Sequence, residues 1–389
     1  MAIALLVIGI ILFVGLVVVH EFGHFIVARR NGVEVEEFGI FFPPSLYKKK
    51  TKAGWVFSVN ALPLGGFVKL KGEHDSDTEP GSFGAASLWS KSKIMVAGVA
   101  LNLLTALVLF TILAIVGMPK LIPNQFTVAS DTQVSASKIL VGYIEPNSPA
   151  ANAGLRSTDQ LIAIEQTGYS PVNIDNKEQL PRLTKVFAGK QVKVFYVRDG
   201  YNRHALLKLR SQAEVVSSQK TDKPKGYLGI SPSELTVQRS TWSAPIVAVG
   251  LSAQITQLTF QGLGHALQGL GHMIAGTATG NTVARQNGQA DASSQVSGPV
   301  GIVMILKDSS TLGLQFMLFI IAVISLTLAI MNILPIPALD GGRLWITLFS
   351  HAIKKPLSAK QEELVNATGF FVLIGLILLV TLVDVHRFF

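Results

Sequence analysis

The sequence predicts an α-helical membrane protein of about four transmembrane helices, interrupted by an inserted domain of mixed α and β structure. Three observations carry this expectation. The 389 residues are 49% hydrophobic and only 15% charged, too apolar for an ordinary soluble protein and too long for one domain. Four apolar runs each approach or exceed the ~20 residues that cross a bilayer. Between the second and third run lies a long polar section with the alternation of β-strands.

The first run, Ala2 to Val19, reads AIALLVIGIILFVGLVVV and has no hydrogen-bonding side chain. It resembles a signal peptide but lacks a basic leading segment and a small-x-small cleavage site, so a retained membrane helix is expected. It continues directly into His20-Glu21-Phe22-Gly23-His24. Ionisable groups at such a place are costly and imply a function and a partner. Positions i and i+4 share a helix face, so His20 and His24 can hold one Zn²⁺ with Glu21 beside it as general base. The chain has no cysteine, so thiolate ligands are excluded and any zinc is held by histidine and carboxylate.

Two apolar, β-prone runs follow, Val56 to Val59 and Gly66 to Leu70, around a Pro63-Leu64-Gly65-Gly66 bend. The second membrane run is Ile94 to Gly117. The section from Phe126 to Ser231 then changes character: Val192 to Val197 alternates, Ala205 to Leu209 is similar, and Asp199-Gly200 between them signals a hairpin turn. From Ser240 to Ala284 there is no Asp, Glu, Lys or Arg. Gln254, Gln257, Gln261, His265, Gln268 and His272 recur there at helical spacing, and glycines recur every seven residues. This segment is expected to be an amphipathic helix on the membrane surface, with an additional span as the alternative. Without a carboxylate, its two histidines are not expected to form a second metal site. Asn281 to Ser294 is expected to be a loop.

The last two spans are Leu314 to Leu334 and Leu364 to Val383. Arg29, Arg30, Lys91 and Lys93 flank the first two spans, and Arg343, Lys354, Lys355 and Lys360 lie between the last two. Those stretches are expected on the cytoplasmic side. Both chain ends and the long middle section then face outward. The net charge of +9 is accounted for by these flanking residues and by the middle domain. Basic residues are not interleaved with stacking aromatics, so nucleic acid is not expected as a partner.

A second polar cluster interrupts the third span: Asn332-Ile-Leu-Pro335-Ile-Pro337-Ala-Leu-Asp340-Gly341-Gly342. The prolines break the helix and the glycines allow a sharp turn. Irregular backbone at membrane depth is tolerated when buried in protein or lining a wet cavity. Two histidines leave a catalytic zinc one protein ligand short, and Asp340 is the natural third.

Two resemblances then emerge. Val141 to Gln166 (VGYIEPNSPAANAGLRSTDQLIAIEQ) resembles a PDZ domain: Ser148-Pro149-Ala150 opens a short helix, Ala153-Gly154-Leu155 closes it, and Asp159 begins the next strand. Thr158 stands where that family usually has glycine. Tyr227-Leu228-Gly229-Ile230 resembles the strand displaced to the end in circularly permuted bacterial PDZ domains. HEFGH in the first helix, NxxPxPxLDGG in the third and a PDZ domain between them together resemble the site-2 protease family, in the branch of the bacterial regulator-of-sigma-E protease. Leu62 to Lys69 matches that branch's membrane-re-entrant β-loop. Gly98-Val-Ala-Leu-Asn102 matches its G-P-x-x-N without the proline. Ser297-Gly298-Pro299-Val300-Gly301 matches a further shared stretch.

The resemblance implies an intramembrane zinc metalloprotease of regulated proteolysis. His20, His24 and Asp340 would hold Zn²⁺ and Glu21 would act as the general base. Asn332, Gly65, Gly66 and Phe67 would bind an unwound substrate segment. The implied substrate is a single-span membrane protein, an anti-sigma factor or a remnant signal peptide. The bacterial inner membrane is the implied location, and a PDZ peptide ligand a further partner. The expected organisation is residues 1–120 as an N-terminal membrane region with the β-loop at 54–71, and 126–231 as the PDZ domain. Residues 240–300 would be the surface helix and loop, and 314–389 a C-terminal membrane region. The rival readings are an HExxH membrane protease of another family, whose third ligand is a glutamate, and a PDZ-bearing membrane scaffold without activity. A transporter is disfavoured by the lack of an inverted repeat.

Overall fold

The computed structural model describes residues 2–73, 77–219, 224–283, 298–354 and 357–388. They fall into two compact units, one of residues 6–110, 248–307 and 320–389, the other of residues 1–5, 111–247 and 308–319.

The first unit is built on long apolar helices. Helix α1 (Ala2–Arg30) ends on Arg29 and Arg30, whose charges complement the negative end of the helix dipole. Asn31 closes it, donating from its side-chain amide to Val27 O at 2.8 Å. Helix α2 (Leu88–Val116) approaches α1 closely where glycine permits it: a β-carbon on Gly23 would stand 2.6 Å from Ala97 O. Such small-residue contacts are how apolar helices associate without a hydrophobic driving force.

Between α1 and α2 two long bent strands, β1 (Val35–Lys50) and β2 (Val56–Leu70), form a hairpin. The expected loop at 54–71 covers only its second strand. Residues 35–50 escape a sequence reading because Glu36, Glu37, Pro43, Pro44 and Lys48 to Lys50 hide any alternation. The bends make four layers of two strands. Residues 37–40 pair with 56–59 on one side and with 66–69 on the other, while 45–50 pair with 56–60. Gly66 to Leu70 is therefore an edge, paired on one side only among the described residues. Aromatic contacts hold the hairpin to α1, with Phe25 centred 4.9 Å from Trp55 and 5.6 Å from Phe38.

Helix α6 (Ala244–Thr279) belongs mainly to this unit. It meets the length and composition of a span, which brings the helices able to cross a membrane to five among the described residues, against the four expected. Gln257, Gln261, His265, Gln268 and His272 are exposed along it. Most of the expected loop at 281–294 lies outside the described residues.

Helices α7 (Pro299–Leu312) and α8 (Leu314–Ile333) follow. After α8 the Pro335 and Pro337 segment reverses the chain into α9 (Asp340–Ala352), and α10 (Ala359–Phe388) completes it. A β-carbon on Gly341 would stand 2.3 Å from Leu334 O, so glycine is what allows the reversal to close. Large apolar side chains such as Ile11, Leu104 and Phe371 are exposed on α1, α2 and α10. Lipid is the solvent that suits such surfaces. Near the end of α10, Asp384 is 2% exposed and accepts from Gly298 N and Gly301 N, each at 2.8 Å. Of the Ser297 to Gly301 stretch singled out in the sequence, Ser297 lies outside the described residues, and Gly298 to Gly301 forms the N-terminus of α7, capped by a carboxylate from α10.

The second unit is an antiparallel sheet in the order β3-β9-β4-β5-β7-β8, with β6 on β5. Its strands are β3 (Met118–Lys120), β4 (Gln133–Ile144), β5 (Gln160–Gln166), β6 (Val172–Asn173), β7 (Gln191–Arg198), β8 (Tyr201–Lys208) and β9 (Ile230–Arg239). The sheet therefore reaches beyond the expected 126–231 at both ends. Helices α3 (Pro149–Asn152), α4 (Gln179–Val186) and α5 (Gln212–Ser218) accompany it. Its core is Ile139, Val141, Leu161, Ile164, Val192 and Val194, with Ala150 and Leu180 supplied by helices. Asp199 and Gly200 both have positive φ, 56° and 84°, the two-residue hairpin turn that their sequence signals. Ser148 caps α3 by accepting from Ala151 N. Thr158, where glycine was expected, has φ 72°, a conformation that a β-branched residue rarely adopts.

Candidate metal centre

The end of α1 and the start of α9 bring together His20, His24 and Asp340. His20 Nε2 lies 2.9 Å from Asp340 Oδ2, and His24 Nε2 lies 3.1 Å from the same oxygen. The two ring nitrogens are 3.3 Å apart. Among the described residues this is the only group of three side chains able to share a metal ion. Ligand atoms around a tetrahedral Zn²⁺ at ~2.0–2.1 Å are about 3.3 Å from one another. The observed triangle has that size, and three protein ligands leave the fourth position open.

The surroundings test the fit independently. His24 Nδ1 donates to Ile94 O at 2.7 Å, which leaves the lone pair on Nε2. His20 Nδ1 faces the side-chain amide of Asn102, 3.2 Å from its nitrogen, while Asn102 Oδ1 is buried with no hydrogen-bond partner. Oxygen and nitrogen of an amide exchange by a half turn. With the oxygen facing the ring, Nδ1–H donates to it, the orphaned acceptor is satisfied, and His20 Nε2 carries its lone pair towards Asp340. Both histidines are thereby set as metal ligands. Helix α2 supplies this support because Gly98 and Asn102, four residues apart, face the histidines together. A β-carbon on Gly98 would stand 2.4 Å from His24 Nε2 and 2.7 Å from His20 Nε2, so only glycine fits. Ser325 on α8 donates to Asn102 O at 2.8 Å and fixes the helix. Asn102 carries this role though the sequence reading gave it none. The available signal was its place at the end of the Gly98–Asn102 motif inside an apolar span.

A cavity of about 260 Å³ opens on the centre. Glu21, His24 and Asp340 line it together with Gly66, Phe67 and Val68 of the edge strand. Glu21 is outside the ligand trio, as a general base should be. Gly66 runs so close to it that a β-carbon would lie 2.9 Å from Glu21 Cγ. Gly65 lies beside the Phe42 ring, and Phe42 stacks on Phe67 with centroids 6.3 Å apart. Asn332 is half-buried in the last turn of α8 and does not line this cavity.

Residues 8–376 match the profile of Peptidase family M50, the site-2 protease family. The chain belongs to that family. It is 31% identical over 381 residues to a protein of Clostridium acetobutylicum, covering 98% of this chain and 97% of the relative. A relative from Clostridium perfringens is 29% identical, with 97% of each chain covered. One from Campylobacter jejuni is 28% identical, covering 96% of this chain and 90% of its own. All three are named as zinc metalloproteases. The chain is accordingly a multi-pass membrane metalloprotease of family M50 with Zn²⁺ as its metal.

Proposed function

We propose that this M50 protease cuts peptide bonds inside the transmembrane segments of single-span proteins, as the second cut of regulated intramembrane proteolysis. The observation that carries the reading is the cavity in which Glu21, His24 and Asp340 share a wall with the edge of β2, which is paired on one side only among the described residues. A transmembrane substrate keeps its carbonyls in internal hydrogen bonds, so it has to unwind before it can be hydrolysed. An unpaired strand edge offers the unwound segment a replacement partner.

His20, His24 and Asp340 would hold zinc, whose Lewis acidity polarises a carbonyl and acidifies water. Glu21 takes a proton from the attacking water, whose oxygen bonds to the carbonyl carbon. As the carbon–nitrogen bond breaks, Glu21 returns that proton to the departing amine nitrogen. Gly66 and Phe67 hold the substrate strand beside Glu21, whereas Asn332, off the cavity wall, would reach only substrate backbone outside it.

The sheet unit is read as one circularly permuted PDZ domain on the outer side of a bacterial inner membrane, admitting substrates already trimmed by another protease. Supporting this, Gly229 of the Tyr227–Ile230 segment turns at φ 76° and leads into β9, which lies beside β4. The polar stripe of α6 supports its placement along the membrane surface. Substrates of anti-sigma-factor or remnant-signal-peptide type fit this arrangement.

The deciding experiment uses the purified full-length protein, its zinc content and a single-span substrate, with and without Glu21→Gln. The variant should keep zinc and lose cleavage. Full residual cleavage by Glu21→Gln would refute the assignment, and zinc binding without cleavage by the unaltered protein would favour a scaffold.

A further inference from the structure

The cavity beside the metal centre contains one charged side chain that the hydrolytic scheme does not use, Arg343. It lies on α9 three residues after Asp340, in or next to the first turn. A cation there opposes the positive end of the helix dipole. At spacing i, i+3 an arginine is also placed to pair with the aspartate, which would compete for the oxygen facing the histidines. Its carboxylate partner is instead Glu73, whose Oε2 lies 4.0 Å from Nη1. Nη2 donates to the backbone carbonyl of Glu73. The guanidinium carbon stands 4.4 Å from the centroid of the Phe83 ring, which is 1% exposed.

These contacts grip the turn that follows the edge strand. Glu73 Oε1 accepts from Leu70 N at 2.8 Å, so the residue held by Arg343 itself holds the last residue of β2. Phe83 N donates to Lys71 O at 2.8 Å, which ties the ring to the same turn. A planar guanidinium can stack on a ring and donate in its plane at once, whereas an ammonium cannot. Arginine is therefore the residue type this position needs.

We propose that Arg343 is a positioning residue for cleavage: it ties the end of the Gly66–Leu70 edge to the helix carrying Asp340, and so sets which substrate bond stands at the metal. The inference rests on the proposed function, in which the substrate pairs with that edge. A strand advances ~3.3 Å per residue, so a strand free to shift by a fraction of that distance presents neighbouring peptide bonds to the same centre. Arg343 acts through the strand and takes no part in proton transfer.

The test uses the full-length protein in detergent, with Arg343→Met, Arg343→Lys and Phe83→Leu compared with the unaltered chain. Products from a single-span substrate are sized by mass spectrometry and zinc per chain is measured. All variants should retain zinc. Arg343→Met should spread cleavage over neighbouring bonds and lower kcat/KM about tenfold, mainly through KM. Arg343→Lys should lie between it and the unaltered protein, and Phe83→Leu should show a weaker form of the same change. An unchanged cleavage site and KM in Arg343→Met would overturn the proposal, as would loss of zinc, which would make Arg343 a support of the metal helix. Hydrogen exchange reads the tether without any cleavage. Faster exchange at Gly66 to Leu70 in Arg343→Met, with the His20 to Arg30 helix still protected, is expected; no change there would sink the idea even if the substrate assignment itself failed.

Discussion

Asp340 and Asp384 are both carboxylates held among apolar helices, and their partners differ in kind. Asp384 is the more deeply buried, at 2% exposed, yet two backbone N–H groups at the N-terminus of α7 meet its charge. Asp340 turns its Oδ2 towards two imidazole nitrogens that the structure around them leaves as lone-pair donors. Three acceptors converging on one point need a metal ion or a shared proton between them. Depth of burial therefore does not distinguish a structural carboxylate from a metal ligand; the nature of the facing groups does. A carboxylate facing N–H groups is a cap. A carboxylate facing two imidazole nitrogens, on rings whose other nitrogens are already committed as donors, is one edge of a metal site.

Replacing each in turn should separate the two roles, and this contrast is the largest effect expected. Asp340→Ala should abolish both zinc retention and proteolysis. Asp384→Ala should retain zinc and lower stability by about 1–2 kcal/mol, the usual cost of losing a helix cap. Metal analysis and thermal unfolding of the two variants side by side check this. Equal zinc loss in both would mean that the α7–α10 contact is part of the metal scaffold.

A smaller effect tests the claim that the imidazoles are preset as ligands. Asn102→Ala removes the partner of His20 Nδ1 and should weaken zinc binding about 10- to 100-fold. Asn102→Asp still offers an acceptor and should hold zinc more tightly than the alanine variant. Competition with a chromogenic chelator measures both. If alanine and aspartate variants bound zinc alike, the asparagine would serve helix packing alone.

Much of this contrast was legible in the sequence, for a physical reason. His20, Glu21 and His24 follow a run free of polar side chains, and Asp340 is the one charge in the proline-broken apolar segment after α8, so their cost in a membrane marks them. The proline and glycine around Asp340 likewise announce irregular backbone. What stayed hidden depends on partners distant in the chain. Asp384 looks like a solvated end of the last helix until Gly298 and Gly301 are seen against it. Asn102 closes a recognisable motif in a span, but its role is not visible until His20 is opposite. Residues 35–50 carry too many charges and prolines for strand periodicity, although the bent strand β2 provides their pairing. Arg343 reads as a cytoplasmic flanking charge, and only its contacts with Glu73 and Phe83 give it a role.

A third carboxylate sharpens the comparison from outside the membrane helices and carries the smallest effect. Asp131 of the sheet unit is half-buried, and it is held like Asp384 by donors alone. Ser243 and Thr241 each donate a hydroxyl and a backbone N–H to it, at 2.5–3.1 Å. The Ser243 and Thr241 hydroxyls, with their backbone N–H groups, pull its pKa down to about 2. Its folded value lies below the unfolded one, so the carboxylate contributes stability above about pH 4. That contribution is lost as pH falls through the folded value near 2. Asp131→Asn keeps an acceptor but removes the charge. The variant should unfold at a lower temperature than the unaltered protein at neutral pH, and the gap should close on acidification towards pH 2. Unfolding midpoints of the pair across that range read this directly. A gap independent of pH would show that hydrogen-bond geometry, and not the charge, is what Asp131 supplies to the start of α6.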